Sequence, residues 1–206
     1  MATGTTAPIG APIWLATIGV YDPLLRGIRL DDGTALHKKV MSLFSGAFPE
    51  GSNTARHDGN ILWRIDGGPR DTGKVLLVQA TIPPTADIPT LAIPNGVPLL
   101  EAGRTIRFRL TVDAVHKFGS KIISGVPRED LPDWLSTRIG LTDIELTRSI
   151  DMQRRVRRDS GTFSFIATEV TGIGVITDPL QLQAAMQNGV GRSRAFGCGL
   201  LTLLPA

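Results

Sequence analysis

Residues 13–20, Ile-Trp-Leu-Ala-Thr-Ile-Gly-Val, form an apolar run with β-branched members, which predicts a buried strand. Residues 21–33 turn polar, rich in Asp, Gly and Arg, and read as a loop. From Thr34, a candidate N-cap, the apolar positions Leu36, Val40, Leu43 and Phe44 fall on one face of a helix running to about Phe44. Residues 45–60 return to loop. Residues 61–65 and 75–79 predict two strands, and the stretch 67–73 between them has the composition of a turn. Prolines 83, 84, 89, 94 and 98 make the next stretch irregular, and residues 105–112 then alternate polar and apolar as a half-buried strand does.

The second half repeats the theme more faintly. Residues 131–139 predict a short helix with Trp134 and Leu135 facing inward. Residues 144–150 and 161–171 read as strands flanking a cluster of arginines, so a hairpin carrying those arginines is expected. Residues 174–178 continue as strand. Asp178-Pro179 is a good helix start, 180–187 its body and Gly189 its left-handed end. Residues 198–204 close the chain as an apolar strand. Two β/α units of about 100 residues each predict an α+β chain of two tandem ferredoxin-like (RRM-like) domains, 1–115 and 116–206. Such sheets often bind RNA, an analogy of fold that does not by itself fix function.

Composition narrows the classes. The 206 residues are 42% hydrophobic and 20% charged, which suits a folded chain. No apolar run approaches the ~20 residues that cross a bilayer. Residues 1–12 carry no basic residue ahead of an apolar core, so they read as a short flexible lead and not as a signal peptide. A single cysteine, Cys198, cannot form an internal disulfide, and no Cys/His spacing suggests a metal. A cytoplasmic protein without metal or other cofactor is the expectation. The net charge of +3 says less than its distribution: Arg148, Arg154, Arg155, Arg157 and Arg158 lie in one stretch, and Arg192 and Arg194 near the end. Guanidinium forks suit phosphate, and a solvated loop explains a basic run equally well.

Two features carry candidate chemistry. The segment 188–201, Asn-Gly-Val-Gly-Arg-Ser-Arg-Ala-Phe-Gly-Cys-Gly-Leu-Leu, places four glycines, two arginines and an aromatic between a helix and a strand. Glycine allows close backbone approach to an anion, or simply meets the geometry of a turn. It is not a nucleotide P-loop, since no Gly-Lys-Ser/Thr follows and a strand comes after it. His37 lies at the edge of the apolar stripe on the first helix, where packing can hold it while it still reaches a substrate. A lone helical histidine is more often structural or exposed. His57, in a polar loop, and His116, after a strand, sit in no motif.

The glycine-rich segment strongly resembles the signature of the CasE family, the crRNA-processing subunits of type I-E CRISPR systems. Residues 35–44, Ala-Leu-His-Lys-Lys-Val-Met-Ser-Leu-Phe, resemble the family's first helix with its histidine, and 59–66 followed by 75–79 resemble its second and third strands. The matches lie in order at both ends of the chain and close near Leu204-Pro205-Ala206. The resemblance implies a metal-independent endoribonuclease that cuts CRISPR precursor RNA on the 3′ side of a repeat stem-loop. Its own 2′-hydroxyl would be the nucleophile, giving a 2′,3′-cyclic phosphate and a 5′-hydroxyl. It further implies that the protein keeps the mature crRNA as a subunit of the Cascade surveillance complex. His37 takes the catalytic position as acid or base, since an imidazole titrates near ~6.5. Some members carry a tyrosine one turn earlier; here that position is Thr34, so Tyr21, Arg26 and Arg29 are the candidates for supporting groups. Lys38 and Lys39 point away from His37 on a helix. Arg154, Arg155, Arg157 and Arg158 would grip the RNA stem. Gly189, Gly191, Arg192, Ser193, Arg194 and Gly197 would hold backbone phosphates near the cut. A non-cleaving RNA-binding scaffold of the same superfamily is the alternative. A metal-dependent nuclease would want clustered carboxylates, for which Asp31-Asp32 is the nearest approach and looks like a turn.

Overall fold

The strand β1 (Ile13–Gly19) lies at the middle of a sheet whose order places every later partner. It is followed by helix α1 (Gly33–Ser42), a single-turn helix α2 (Ala55–Asp58), and strands β2 (Leu62–Asp66), β3 (Val75–Ala80) and β4 (Thr90–Ile93). The sheet order is β2-β3-β1-β4, with all neighbours antiparallel. The second sheet is built from β5 (Thr105–Val112), β8 (Leu141–Arg158), β9 (Gly161–Ile176) and β10 (Thr202–Leu204). Helix α3 (Leu131–Ile139) precedes β8, and α4 (Pro179–Asn188) follows β9. A two-stranded ribbon, β6 (Val115–Phe118) and β7 (Lys121–Ser124), is inserted between β5 and α3. The order β10-β5-β9-β8 repeats that of the first sheet: fourth, first, third, second. The chain is therefore α+β, with two tandem ferredoxin-like folds. This computed structural model describes residues 10–52, 54–67, 73–118, 121–158 and 161–204, and the side chains of 117, 118, 121, 122, 124, 157 and 158 are outside the description. The expected lead at 1–12, the turn at 67–73, the side chains of Arg157 and Arg158, and Pro205-Ala206 fall wholly or partly outside it.

Each sheet buries one face. Ala16, Ile18, Leu36, Val40, Trp63, Leu76 and Val78 form the first core, so the predicted stripe of α1 does face a sheet. Phe108, Leu110, Val112, Leu131, Leu135, Ile139 and Val170 belong to the second. A third cluster joins the outer half of the β8–β9 hairpin to the glycine-rich segment through Val156, Phe165, Ala167, Phe196 and Cys198.

Several expectations need correction. The N-cap of α1 is Asp32, whose carboxylate accepts from the N–H groups of Thr34 and Ala35; Thr34 lies inside the helix, which ends at Ser42. Asp31-Asp32 is thus a cap and an ion pair with Arg29, not a nuclease cluster. The arginines do not sit in a loop between short strands. The strand β8 runs through them to Arg158, paired with β9 up to Arg158↔Gly161. The final strand covers Thr202–Leu204 only. Trp134 is half-buried and donates to the Val115 carbonyl, while Leu131, Leu135 and Ile139 make the inward stripe. The strand at 105–112, read with the first half, pairs with β9 and β10, so the change of sheet falls before Thr105 and not at 115/116. The proline-rich stretch contains the edge strand β4.

The halves lock together at a polar seam. Arg64, 2% exposed, extends from β2 to donate to the carbonyls of Arg109 and Leu200 and to the Thr202 hydroxyl, while pairing with Asp66. Arg109 reaches Asp66 at 3.6 Å and Glu169 at 3.3 Å, and Glu169 also receives Arg148 at 3.5 Å. Asn60 and Gln79 from the first half donate to the Gln187 and Met186 carbonyls at the end of α4. Their side chains satisfy carbonyls that a helix end leaves open.

Candidate active site

Helix α1 reaches the site because Asp32 caps its start and Leu36 and Val40 anchor its inner face. His37 is consequently half-buried at the helix edge. Its ring stands edge-on to Phe196 at 6.0 Å between centroids, interplanar angle 61°. Phe196 lies in a 3-10 turn, Arg194–Phe196, in the middle of the glycine-rich segment. It also meets Phe163 of β9 at 5.7 Å. Two segments far apart in the chain therefore share one aromatic contact, and they are the two that the sequence singled out.

The glycine-rich segment is shaped chiefly by packing. At Gly197, φ +82°, an added Cβ would lie 2.8 Å from the Trp63 ring, whose indole N–H donates to the Ala195 carbonyl at 3.2 Å. At Gly191, φ +75°, it would lie 2.7 Å from Val112 Cγ2. Gly189 is equally confined, by Leu62 at 2.9 Å. The geometric reading of these glycines is thus sufficient for their presence. Ser193 occupies left-handed backbone at φ 51°, and its hydroxyl donates to the buried Asp113 carboxylate at 2.6 Å. Arg194 donates through Nε to the Gly191 carbonyl at 3.1 Å and through Nη1 to the Asn188 carbonyl at 2.8 Å. The side chain of Arg192 is exposed.

Register places Arg154 opposite Phe165 and Val156 opposite Phe163, on the face that meets Phe196 and α1. Arg155, opposite Ser164, projects from the other face and is exposed. A cleft of about 1000 Å³ runs between the loop before α1 and β8; Arg29, Lys74, Arg148, Arg154 and Arg155 line it, with Asp31 and Glu169 the acids. Both acids are engaged by arginines, so the excess is cationic. Arg29 and Asp31 are exposed; the hydrogen bond and charge of each hold the other's ionised form, raising Arg29 and lowering Asp31. Tyr21 stands 74% exposed after β1, and Arg26 is exposed beyond the 3-10 turn Pro23–Leu25. Neither is fixed to α1 by a side-chain hydrogen bond or ion pair among the described residues.

Burial pushes the Cys198 thiol up to about 12, more than the opposing charge of Arg154 lowers it. Cys198 packs as an apolar side chain and is no nucleophile. His57 lies 3.9 Å from Asp58. Among the described residues no group of three His, Cys, Asp or Glu side chains is placed to hold a metal ion, and no helix is long and apolar enough to cross a membrane.

Sequence reading missed Arg56 and Phe163. Both line a hollow of about 530 Å³ with Arg192, Arg194 and Phe196. Arg56 stands alone on a single-turn helix, with no periodic pattern to mark it. Phe163 alternates with Phe165 along β9, and that alternation was the available signal.

A model of the family described as CRISPR associated protein matches residues 14–205. CRISPR-associated endoribonuclease Cse3 of Thermus thermophilus is 25% identical over 223 residues, covering 94% of this chain and 100% of its own. The solved structure of CRISPR endoribonuclease Cse3 bound to 19-nucleotide RNA superposes with a TM-score of 0.72 at 24% identity, over 94% of this chain and 100% of that one. A chain of a CRISPR RNA-guided surveillance complex in its pre-nicking state gives 0.64 at 24% identity, over 92% and 98%.

Proposed function

The chain belongs to the CRISPR-associated protein family and is of the CasE type, and from that premise we propose that it is an endoribonuclease that cuts CRISPR precursor RNA at repeat stem-loops and retains the product. The observation that carries the reading is the edge contact between His37 and Phe196, which unites the helix histidine with the glycine-rich segment beside a cationic cleft. The relative named above is an endoribonuclease, and structures similar to this chain hold RNA or belong to an RNA-guided complex. The partners proposed here are precursor RNA, mature crRNA and the other Cascade subunits.

His37 moves a proton, either from the attacking 2′-hydroxyl or to the leaving 5′-oxygen. The 2′-oxygen bonds to phosphorus as the bond to the 5′-oxygen breaks, leaving a 2′,3′-cyclic phosphate and a 5′-hydroxyl. Arg154, on the same face as the Phe196 cluster, supplies positive charge for the phosphorane. Arg155 and Arg148 along β8, with Lys74 and Arg29 across the cleft, contact the phosphates of the stem. An A-form stem hides its base edges in a deep groove, so shape and charge dominate recognition. Tyr21 and Arg26 stay secondary because no side-chain hydrogen bond or ion pair among the described residues ties them to α1.

Cleavage of a repeat RNA in EDTA tests this directly. Wild type cuts at one site, whereas His37→Ala binds with unchanged affinity and cuts about 10²–10⁴ times more slowly. Binding without cutting by wild type would favour the scaffold reading. An undiminished rate in His37→Ala would remove the histidine from the site, and loss of wild-type cutting in EDTA would remove the metal-free mechanism.

A further inference from the structure

The hollow beside Phe196 is lined by arginines from both halves of the chain: Arg56 from α2, and Arg192 and Arg194 from the glycine-rich segment. Arg56 and Arg194 are half-buried. Burial makes the charged form of each less favourable than in water, and the charge of Arg194 adds to this for Arg56. Arginine nonetheless stays protonated, so the two remain like charges drawn out of solvent. Among the described residues neither meets a carboxylate. Asp58, two residues from Arg56, accepts from the Thr54 hydroxyl, and Asp113 accepts from that of Ser193. The other arginines of the seam differ: Arg64 and Arg109 both have acids. Arg194 uses Nε and Nη1 on carbonyls, and Arg56 makes one long bond, Nη1 to the Ile61 carbonyl at 3.4 Å. Nη2 of Arg194 and most of the Arg56 fork remain for an anion.

We propose that Arg56, Arg192 and Arg194 form a phosphate-binding subsite across the seam between the two halves, beside the His37 site and separate from it. His37 does not line the hollow; Phe196 lies against both. The phosphate held here is therefore a neighbour of the one that reacts. A hollow of about 530 Å³ is too large for a lone phosphate to fill, which favours a phosphate carried on a nucleic-acid backbone. Only that choice of source rests on the RNA-cleaving reading; the anion site itself stands on the arginines.

The test uses the full chain and Arg56→Gln, which can still donate to the Ile61 carbonyl but has no charge. In the first arm, thermal unfolding is followed in inorganic phosphate against chloride at equal ionic strength. Wild type gains stability saturably and Arg56→Gln does not. In the second, affinity for a repeat RNA with a 2′-deoxy nucleotide at the cut is measured across salt. The slope of log affinity against log salt falls by about 0.7–0.9 in Arg56→Gln, one phosphate contact's worth. A phosphate effect without RNA binding keeps the subsite and assigns it to a free phosphate, while counting against the RNA reading. Equal phosphate response and equal salt slope in the two proteins overturn the subsite.

Discussion

Along the seam between its two halves this protein treats arginine in two ways. Arg64 and Arg109 sit among Asp66 and Glu169, and Arg64 satisfies two carbonyls and a hydroxyl besides. Arg56 and Arg194 are half-buried, and they face one another and Arg192 around a hollow without a carboxylate. Desolvating a cation is costly, and the cost is offset by a partner. In the first cluster the chain supplies that partner, so those arginines fasten the domains. In the second it supplies carbonyls but no carboxylate, which leaves room for the proposed anion from outside. The paired set explains why the halves hold a fixed relation, and the unpaired set, with the β8 arginines, explains what that relation presents.

The sharpest way to break this comparison is to remove the centre of the paired set. Arg64→Ala strands the Arg109 and Leu200 carbonyls and weakens the hold on Asp66, so a loss of about 3–5 kcal/mol is expected from urea unfolding. At a temperature where the variant is still folded, its salt slope for RNA should equal wild type's. A loss below about 1 kcal/mol, the size of an exposed pair, would show that the seam does not depend on Arg64.

Acid probes the same cluster more gently. Burial pushes the Asp66 carboxyl up, but the hydrogen bonds and charge of Arg64, with the charge of Arg109, outweigh it and hold the group below its ordinary value. A carboxylate depressed in the folded state contributes stability that is complete above its unfolded pKa, near ~3.9, and lost as pH falls through the folded one. Wild type should therefore weaken on acidification below about pH 4, while Asp66→Asn starts less stable and declines less steeply there. Parallel curves for the two proteins would mean that the Asp66 charge takes no part in the seam.

What the sequence disclosed follows from the range of the forces concerned. The stripe Leu36, Val40 and Leu43 is local, so α1 and the place of His37 on it were legible. The cap was misplaced because Asp32 and Thr34 are both acceptors two residues apart, and only backbone direction decides between them. The strand through Arg154 and Arg155 was hidden because its outer half is polar on one face and carries arginine on the other; its apolar partners, Phe196 and Cys198, lie about forty residues away in sequence. Membership of β5 in the second sheet is set by pairing with Thr168–Val175, a separation no periodicity reports. Of the site, the histidine and the glycine-rich segment were legible as motifs. Arg56 was not, because only the approach of the two halves gives it a role.

The finest distinction concerns an arginine that ought to matter to RNA and not to folding. Arg192 has an exposed side chain and no ion pair among the described residues, whereas Arg148, also exposed, reaches Glu169 at 3.5 Å. Exposed pairs contribute little to stability, so neither Arg192→Ala nor Arg148→Ala should move the melting temperature appreciably. Their salt slopes for RNA should differ. Arg192 gives its whole charge to phosphate, and its loss removes about 0.7–0.9 from the slope. Arg148 is already partly neutralised by Glu169, so its loss removes less. Equal reductions would show that an acid on the surface does not withhold its arginine from RNA. The rule that sorts this protein's arginines by their partners would then hold for buried side chains alone.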